Sequence, residues 1–108
     1  MSLYRFKSRE TGDLVMTSTH GQRLLEILGK DPSGPGIVLP EQMPGAIEAI
    51  RQAIAAEEAE LKRLTEEAAA RGEPPPDFDA VSLRMRSVPF IDMLNRCQQA
   101  GVEVVWGV

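Results

Sequence analysis

The sequence predicts a small α+β domain in which three helices pack on a three-stranded antiparallel sheet. Short β-type segments lie at both ends of the chain, and a helical pattern of about thirty residues occupies the middle. Glycines and prolines punctuate the boundaries between these segments. Grouping the strands in one sheet with the helices on one face gives the α+β class. The 108 residues fit a single domain spanning 1–108 and suffice for one core.

The first two strands are predicted to form an antiparallel hairpin. Within Leu3–Lys7, Tyr4 and Phe6 fall on one face and alternate with residues of the other face. The second segment, Asp13–Thr17, is rich in apolar residues and follows after a short connection. Gly12 lies between the two segments, where a tight hairpin loop requires a positive φ.

The stretch Met16–Lys30 has the signals of a short helix and holds the one histidine of the chain. Thr19 and Gln22 have the spacing of a capping box, in which each side chain bonds the backbone beside the other. Gly29 lies where a left-handed residue commonly ends a helix. This interpretation places His20 in the first turn of the helix.

The longest helix is predicted from about Glu41 to Arg71, after a Gly- and Pro-rich loop at Asp31–Pro40. Pro44 is tolerated in the first turn because its missing N–H is not needed there. Apolar residues recur at alternating steps of four and three, a heptad pattern interrupted by the charge of Glu57. A helix of about 28 residues is about 42 Å long, more than a domain of this size needs. We therefore predict that its distal half has a partner.

The last third of the sequence predicts a helical hairpin followed by a strand. The three prolines within Arg71–Asp79 stop the long helix, and we interpret this tract as the turn of the hairpin. Residues 81–88 alternate like a strand, whereas Ser82 can equally cap a helix. The pattern favours a helix with a kink at Pro89. The final Val102–Val108 is β-branched and aromatic, so we predict a strand that pairs with the N-terminal hairpin.

No residue pattern is typical of a catalytic, cofactor or metal site. His20 is the natural candidate for acid–base or ligand chemistry, but there is no second histidine to complete a metal site. Cys97 is predicted to lie buried on the apolar face of the last helix. The candidate ligand site consists of His20, Lys30 and Asp31, with the loop at Gly29–Val38 as a lid. We predict no catalytic residue, no cofactor and no metal.

Charge and hydropathy narrow the classes of partner. The net charge of −4 opposes a nucleic-acid partner, and the one basic cluster is Arg84, Arg86 and Arg96. The glutamates of the long helix are interpreted as a solvated face. The chain has no apolar run long enough for a signal peptide or a membrane span. With a single cysteine and therefore no internal disulfide, we predict a cytoplasmic protein without a membrane partner.

Five segments together resemble a known family: "YRFKS", "HGQRLLEILGK", "GIVLPEQMPGAIEAI", "VSLRMRSVPFIDML" and "VVWGV". They resemble the bacterial domain-of-unknown-function family numbered eighteen-forty. The resemblance covers nearly the whole chain, apart from the middle of the long helix and the proline tract. It implies a complete small protein of the bacterial cytoplasm. It implies no activity, cofactor or catalytic residue.

The heptad pattern favours a non-enzymatic protein-interaction or regulatory module. We predict a homodimer, or a complex with a protein partner, formed through the long helix. The predicted interaction seam consists of Ile47, Ile50, Ile54, Leu61 and Leu64. The alternative is a small-ligand or metal-binding domain with a pocket near His20. A third alternative is an enzyme whose site residues come together only in the folded chain.

Overall fold

A computed structural model describes residues 3–75 and 82–107 of the chain. The elements are strands β1 (Leu3–Lys7) and β2 (Leu14–Thr17), helix α1 (Ser18–Ile27), strand β3 (Gly36–Val38), helices α2 (Met43–Ala70) and α3 (Leu83–Ala100), and strand β4 (Val104–Trp106). A 3-10 turn at Pro40–Gln42 leads into α2. The predicted α+β class and the three helices are confirmed.

The sheet has four strands, so the predicted three-stranded sheet is wrong. The strand order is β2-β1-β4-β3, and every neighbouring pair is antiparallel. The additional strand is β3, which lies in the segment interpreted as a loop. Three residues between prolines are too few to show a period of two, so only pairing with β4 defines this strand. Gly36 permits that pairing, because a Cβ there would lie 2.3 Å from the Trp106 indole.

All three helices pack on one face of the sheet. Phe6 lies at the centre of that face, with its ring centroid 4.8 Å from Phe90 of α3 and 5.9 Å from Trp106 of β4. The predicted pairings of β1 with β2 and with β4 are confirmed. Leu3 and Val15, on the opposite face, are 61% and 44% exposed. Over the described residues, the domain is therefore a two-layer fold in which one face of the sheet carries no helix.

Helix α1 begins differently from the prediction and ends as predicted. The N-cap residue is Thr17, and no side chain caps the helix, so the capping box predicted at Thr19 is wrong. The physical reason is that β2 runs directly into the helix, which begins before Thr19. Gly29 has φ +73°, and the Lys30 N–H donates to the Leu25 carbonyl at 2.8 Å, as a glycine-terminated helix requires. His20 lies in the first turn, as predicted.

The segment 81–88, for which the sequence allows either a strand or a helix, is helical from Leu83 onward. The Ser82 hydroxyl accepts the Met85 N–H at 3.2 Å and caps α3, which includes Pro89 and ends at Gly101 with φ +70°. Residue 81 and the last four residues of the predicted hairpin turn, 76–79, lie outside the described residues, since the gap spans 76–81. Gly72, with φ +69°, follows the end of α2.

Candidate interaction surfaces

The first half of the predicted interaction seam packs inside the chain. Ile47, Ile50 and Ile54 are 6%, 0% and 4% exposed. They belong to one core cluster with Phe90 and Leu94 of α3. These three isoleucines therefore hold α2 against the rest of the domain, and they are not available to another molecule.

Glu57 joins the three helices at one point. Its Oε2 accepts the backbone N–H of Leu83 at 3.0 Å, and its Oε1 lies 3.5 Å from Nη1 of Arg23 on α1. Its side chain is 23% exposed, so the interpretation of Glu57 as part of a solvated face is wrong. The acceptor satisfies one of the N–H groups that a helix start leaves without a partner. A charge at a heptad core position is the sequence signal that could have identified this contact.

Helix α2 extends well past the helix that pairs with it. Because α3 starts level with Glu57, the α2 residues Glu58–Ala70, here called the arm, extend for about 20 Å beyond it. The longest dimension of the molecule is correspondingly 52 Å. All elements other than the arm are here called the body.

Ion pairs along the arm are local and exposed. Arg63 donates to Glu60 at 3.0 Å and to Glu67 at 2.7 Å. At the base of the arm, Arg84 of α3 donates to Glu58 at 2.8 Å, and this hydrogen bond lowers the pKa of Glu58. Exposed pairs of this kind stabilise a helix only modestly. The arm is therefore tied to the body at its base and supported locally along its length.

The remaining seam residues, Leu61 and Leu64, lie on the arm. Both are half-buried, and neither belongs to the core cluster of the body. They follow Glu57 by four and seven residues, so they continue the same helix face that contacts α3 lower down. The apolar face of α2 therefore runs beyond the described start of α3, and Ala68 at its far end is 3% exposed.

His20, the first candidate ligand residue, is engaged by an arginine. Its Nδ1 lies 2.7 Å from Nη1 of Arg86 on α3. A guanidinium can only donate hydrogen bonds, so Nδ1 is the acceptor in this contact. This contact occupies the Nδ1 lone pair that a metal or a transferred proton would use, and it links α1 to α3.

The other two candidate ligand residues lie at the far end of α1. Asp31 accepts hydrogen bonds from the N–H and the hydroxyl of Ser33 at 2.8 and 2.6 Å, and these bonds lower the pKa of Asp31. Lys30 borders a cleft of about 230 Å³, whose other lining residues are Leu28, Val38, Gln42, Gly45, Ala46 and Ala49. The helical part of this separation, from His20 to Ile27, corresponds to about 10 Å, and Lys30 lies beyond the end of the helix. The described cleft thus contains Lys30 without His20 or Asp31.

The remaining polar candidates do not come together. The three arginines of the predicted basic cluster each have a separate partner: Arg84 with Glu58, Arg86 with His20, and Arg96 with Asp92. Cys97 is fully buried, as predicted, with its Sγ 2.9 Å from the Ser8 hydroxyl. Within residues 3–75 and 82–107, no group of three His, Cys, Asp or Glu residues is arranged to hold a metal ion. Over the same residues, no helix is both long and apolar enough to cross a membrane.

Comparison with known proteins identifies a family without a described activity. The sequence model of the family described as Domain of unknown function (DUF1840) matches residues 2–106. The match confirms the family resemblance predicted from the five segments. No curated protein and no solved structure gives a significant match.

Proposed function

Since the chain belongs to the DUF1840 family, a domain of unknown function, we propose from the geometry that it is a non-enzymatic protein-interaction module. Its docking surface is the arm, through the face that bears Leu61 and Leu64. One observation carries this proposal: the apolar face of α2 continues beyond the start of α3. The partner we propose is an amphipathic helix of another protein, which takes the place along the arm that α3 occupies along the body.

The spacing and the energetics both support a helical partner. Leu61 and Leu64 continue the heptad pattern of Ile47, Ile50 and Ile54, which pack against α3. A helical extension owes most of its stability to packing of its apolar face rather than to propensity or exposed ion pairs. A second helix on this face supplies that packing and buries both leucines.

Affinity capture from the native lysate tests the proposal with three forms of the tagged protein. The forms are the wild type, Leu64→Asp on the proposed docking face, and Ala59→Asp as the matched control. Ala59 is exposed and lies on a different face of the arm. We expect one stoichiometric protein with the wild type and with Ala59→Asp, and at least about a tenfold loss of it with Leu64→Asp.

Two results contradict the proposal. Capture of the same partner by Leu64→Asp shows that the arm is not the docking surface. Loss of the cooperative thermal transition in Leu64→Asp, with Ala59→Asp unaffected, shows that Leu64 belongs to the intrachain core.

The small-ligand alternative rests on the cleft beside Lys30. It is lined mainly by apolar residues with one cationic side chain, an arrangement suited to a small anionic ligand. Under this alternative, Lys30→Ala abolishes a ligand-induced shift in melting temperature. If the ligand instead binds in a pocket near His20, as the sequence predicted, His20→Ala abolishes the ligand-induced shift in melting temperature. An unchanged shift in both variants contradicts both forms.

A further inference from the structure

The two edges of the sheet differ in their protection against pairing with another strand. The β3 edge is only three residues long and is bracketed by Pro35 and Pro40, which are common safeguards of an edge strand. The β2 edge, Leu14–Thr17, is paired on one side by β1 and contains neither proline nor charge. An edge without these safeguards can pair with a further strand.

We propose that β2 pairs antiparallel with β2 of a second copy of this chain, with Val15 opposite Val15 of that copy. Residues that face each other in an antiparallel ladder point to the same side of the sheet. A symmetric ladder between identical strands is therefore centred on a residue, either Val15 or Met16. Centring on Met16 would place Leu14 opposite Ser18, which is already helical and cannot extend the ladder. Centring on Val15 uses strand residues on both sides.

Apolar side chains match in this register on both faces of the sheet. On the face that carries no helix, Val15, which is 44% exposed, meets its own symmetry mate. On the helix-bearing face, Leu14 lies opposite Met16 of the second copy, and both side chains are only half-buried in one chain. Leu14 also lines a cleft of about 220 Å³ together with Pro89 and Met93 of α3, and the other lining residues are polar or charged: Thr11, Asp13, Asp92 and Arg96. The unbranched and flexible Met16 of the second copy is suited to fill such an irregular space.

The same register brings an acidic residue to an uncapped helix start. Asp13, whose Oδ2 accepts a hydrogen bond from Arg5 Nη1 of its own chain at 3.1 Å, lies opposite Thr17 of the second copy. Thr17 is the residue before α1, whose first turn has no side-chain cap and no acidic residue. A carboxylate near a helix N-terminus is stabilising, because the N–H groups there lack partners and the helix dipole is positive. The pairings Val15–Val15, Leu14–Met16 and Asp13–Thr17 therefore all favour the alignment centred on Val15.

A second copy fits this edge better than an unrelated extended peptide. The alignment is self-complementary, and a two-fold axis closes the assembly at two chains. The product is a continuous eight-stranded sheet with the helices of both copies on one side. The dimer uses none of the arm residues, so it is independent of the proposed docking of another protein.

Charge exchange at Val15 tests both the surface and the register. We expect the wild type to be dimeric by sedimentation equilibrium, and Val15→Lys and Val15→Glu each to raise the dimer dissociation constant by at least about tenfold. An equimolar mixture of the two variants should form a heterodimer, because opposite charges then face each other. Ile37→Lys is the matched control, since Ile37 is 40% exposed on the same face of the protected edge strand. It should remain dimeric.

A monomeric wild type overturns the proposal, and so does a Val15→Lys variant that remains dimeric. If the mixture of Val15→Lys and Val15→Glu does not associate, the proposed register is wrong. A measurement on the wild type alone covers the case in which a variant does not fold. Amide exchange within Leu14–Thr17 should slow by at least about tenfold from the monomeric to the dimeric concentration range, while exchange in Gly36–Val38 stays unchanged. An equal change in amide exchange at the β2 and β3 edges contradicts the proposal. The affinity capture described above, repeated with Val15→Lys, distinguishes the two proposals. Because the arm is unchanged in this variant, it should still capture the partner protein even if the β2 dimer is lost.

Discussion

The two halves of α2 share one helix and one heptad pattern, yet among the described residues only the first half contributes buried side chains to the core cluster of the body. Ile50 is fully buried against the sheet and α3, whereas Leu64 is half-buried and lies outside the core cluster. The difference arises where α3 begins, at the Leu83 contact with Glu57. A periodic pattern thus predicts which face of a helix is apolar, and the length of the neighbouring element decides how much of that face is covered.

Matched truncations in the two halves test this comparison most directly. We expect Ile50→Ala to lower the free energy of unfolding by about 2–5 kcal/mol, because it leaves a cavity in a packed core. Leu64→Ala should cost less than about 1.5 kcal/mol, because less apolar area is removed from contact. Urea unfolding followed by circular dichroism measures both. Equal costs would mean that the arm packs as tightly as the body.

A pair of glycine substitutions measures how tightly the body itself is packed. A Cβ at Gly36 would lie 2.3 Å from the ring of Trp106, which is 1% exposed. We expect Gly36→Ala to cost about 1–3 kcal/mol through overpacking. Gly34→Ala is the control, since no atom lies within 4 Å of a Cβ there. Similar melting temperatures for both variants would show that β3 adjusts freely and that packing at this edge is loose.

The smallest expected effect concerns the junction between body and arm. Glu57→Ala removes the acceptor of the Leu83 N–H, and we expect a loss of about 1 kcal/mol and faster amide exchange at Leu83. Glu57→Gln keeps an acceptor oxygen, so it should retain most of the protection of that amide while it loses the charge that faces Arg23. Unchanged exchange at Leu83 in Glu57→Ala would place the boundary between the two halves elsewhere.

Local signals in the sequence predicted most of the individual elements. The hairpin turn at Gly12, the end of α1 at Gly29 and the helical course of α3 from Ser82 all follow from interactions within a few residues. The capping box at Thr19 failed, although its spacing was correct, because the helix starts earlier, directly from β2. A local motif competes with the register that the neighbouring strand imposes.

The candidate site was less predictable than the fold, because it depends on contacts between distant segments. The five residues of the predicted seam are equivalent in the sequence, but the structure divides them at Glu57 into covered and projecting groups. His20 and Lys30 lie close together in the sequence, but His20 lies in the first turn of α1 whereas Lys30 follows the end of that helix. Proximity in the sequence therefore did not indicate proximity in space.

The sequence by itself determined the apolar faces, the glycine-terminated ends of α1 and α3, and the antiparallel hairpin, since these depend on side-chain periodicity and on the conformational limits of glycine and proline. Only the tertiary structure decided that Gly36–Val38 is a strand, that Glu57 accepts a hydrogen bond from a second helix, and that the arm extends past α3. Each of these depends on a hydrogen bond or a contact between segments far apart in the chain. Such contacts form only when burial of the common core brings the segments together.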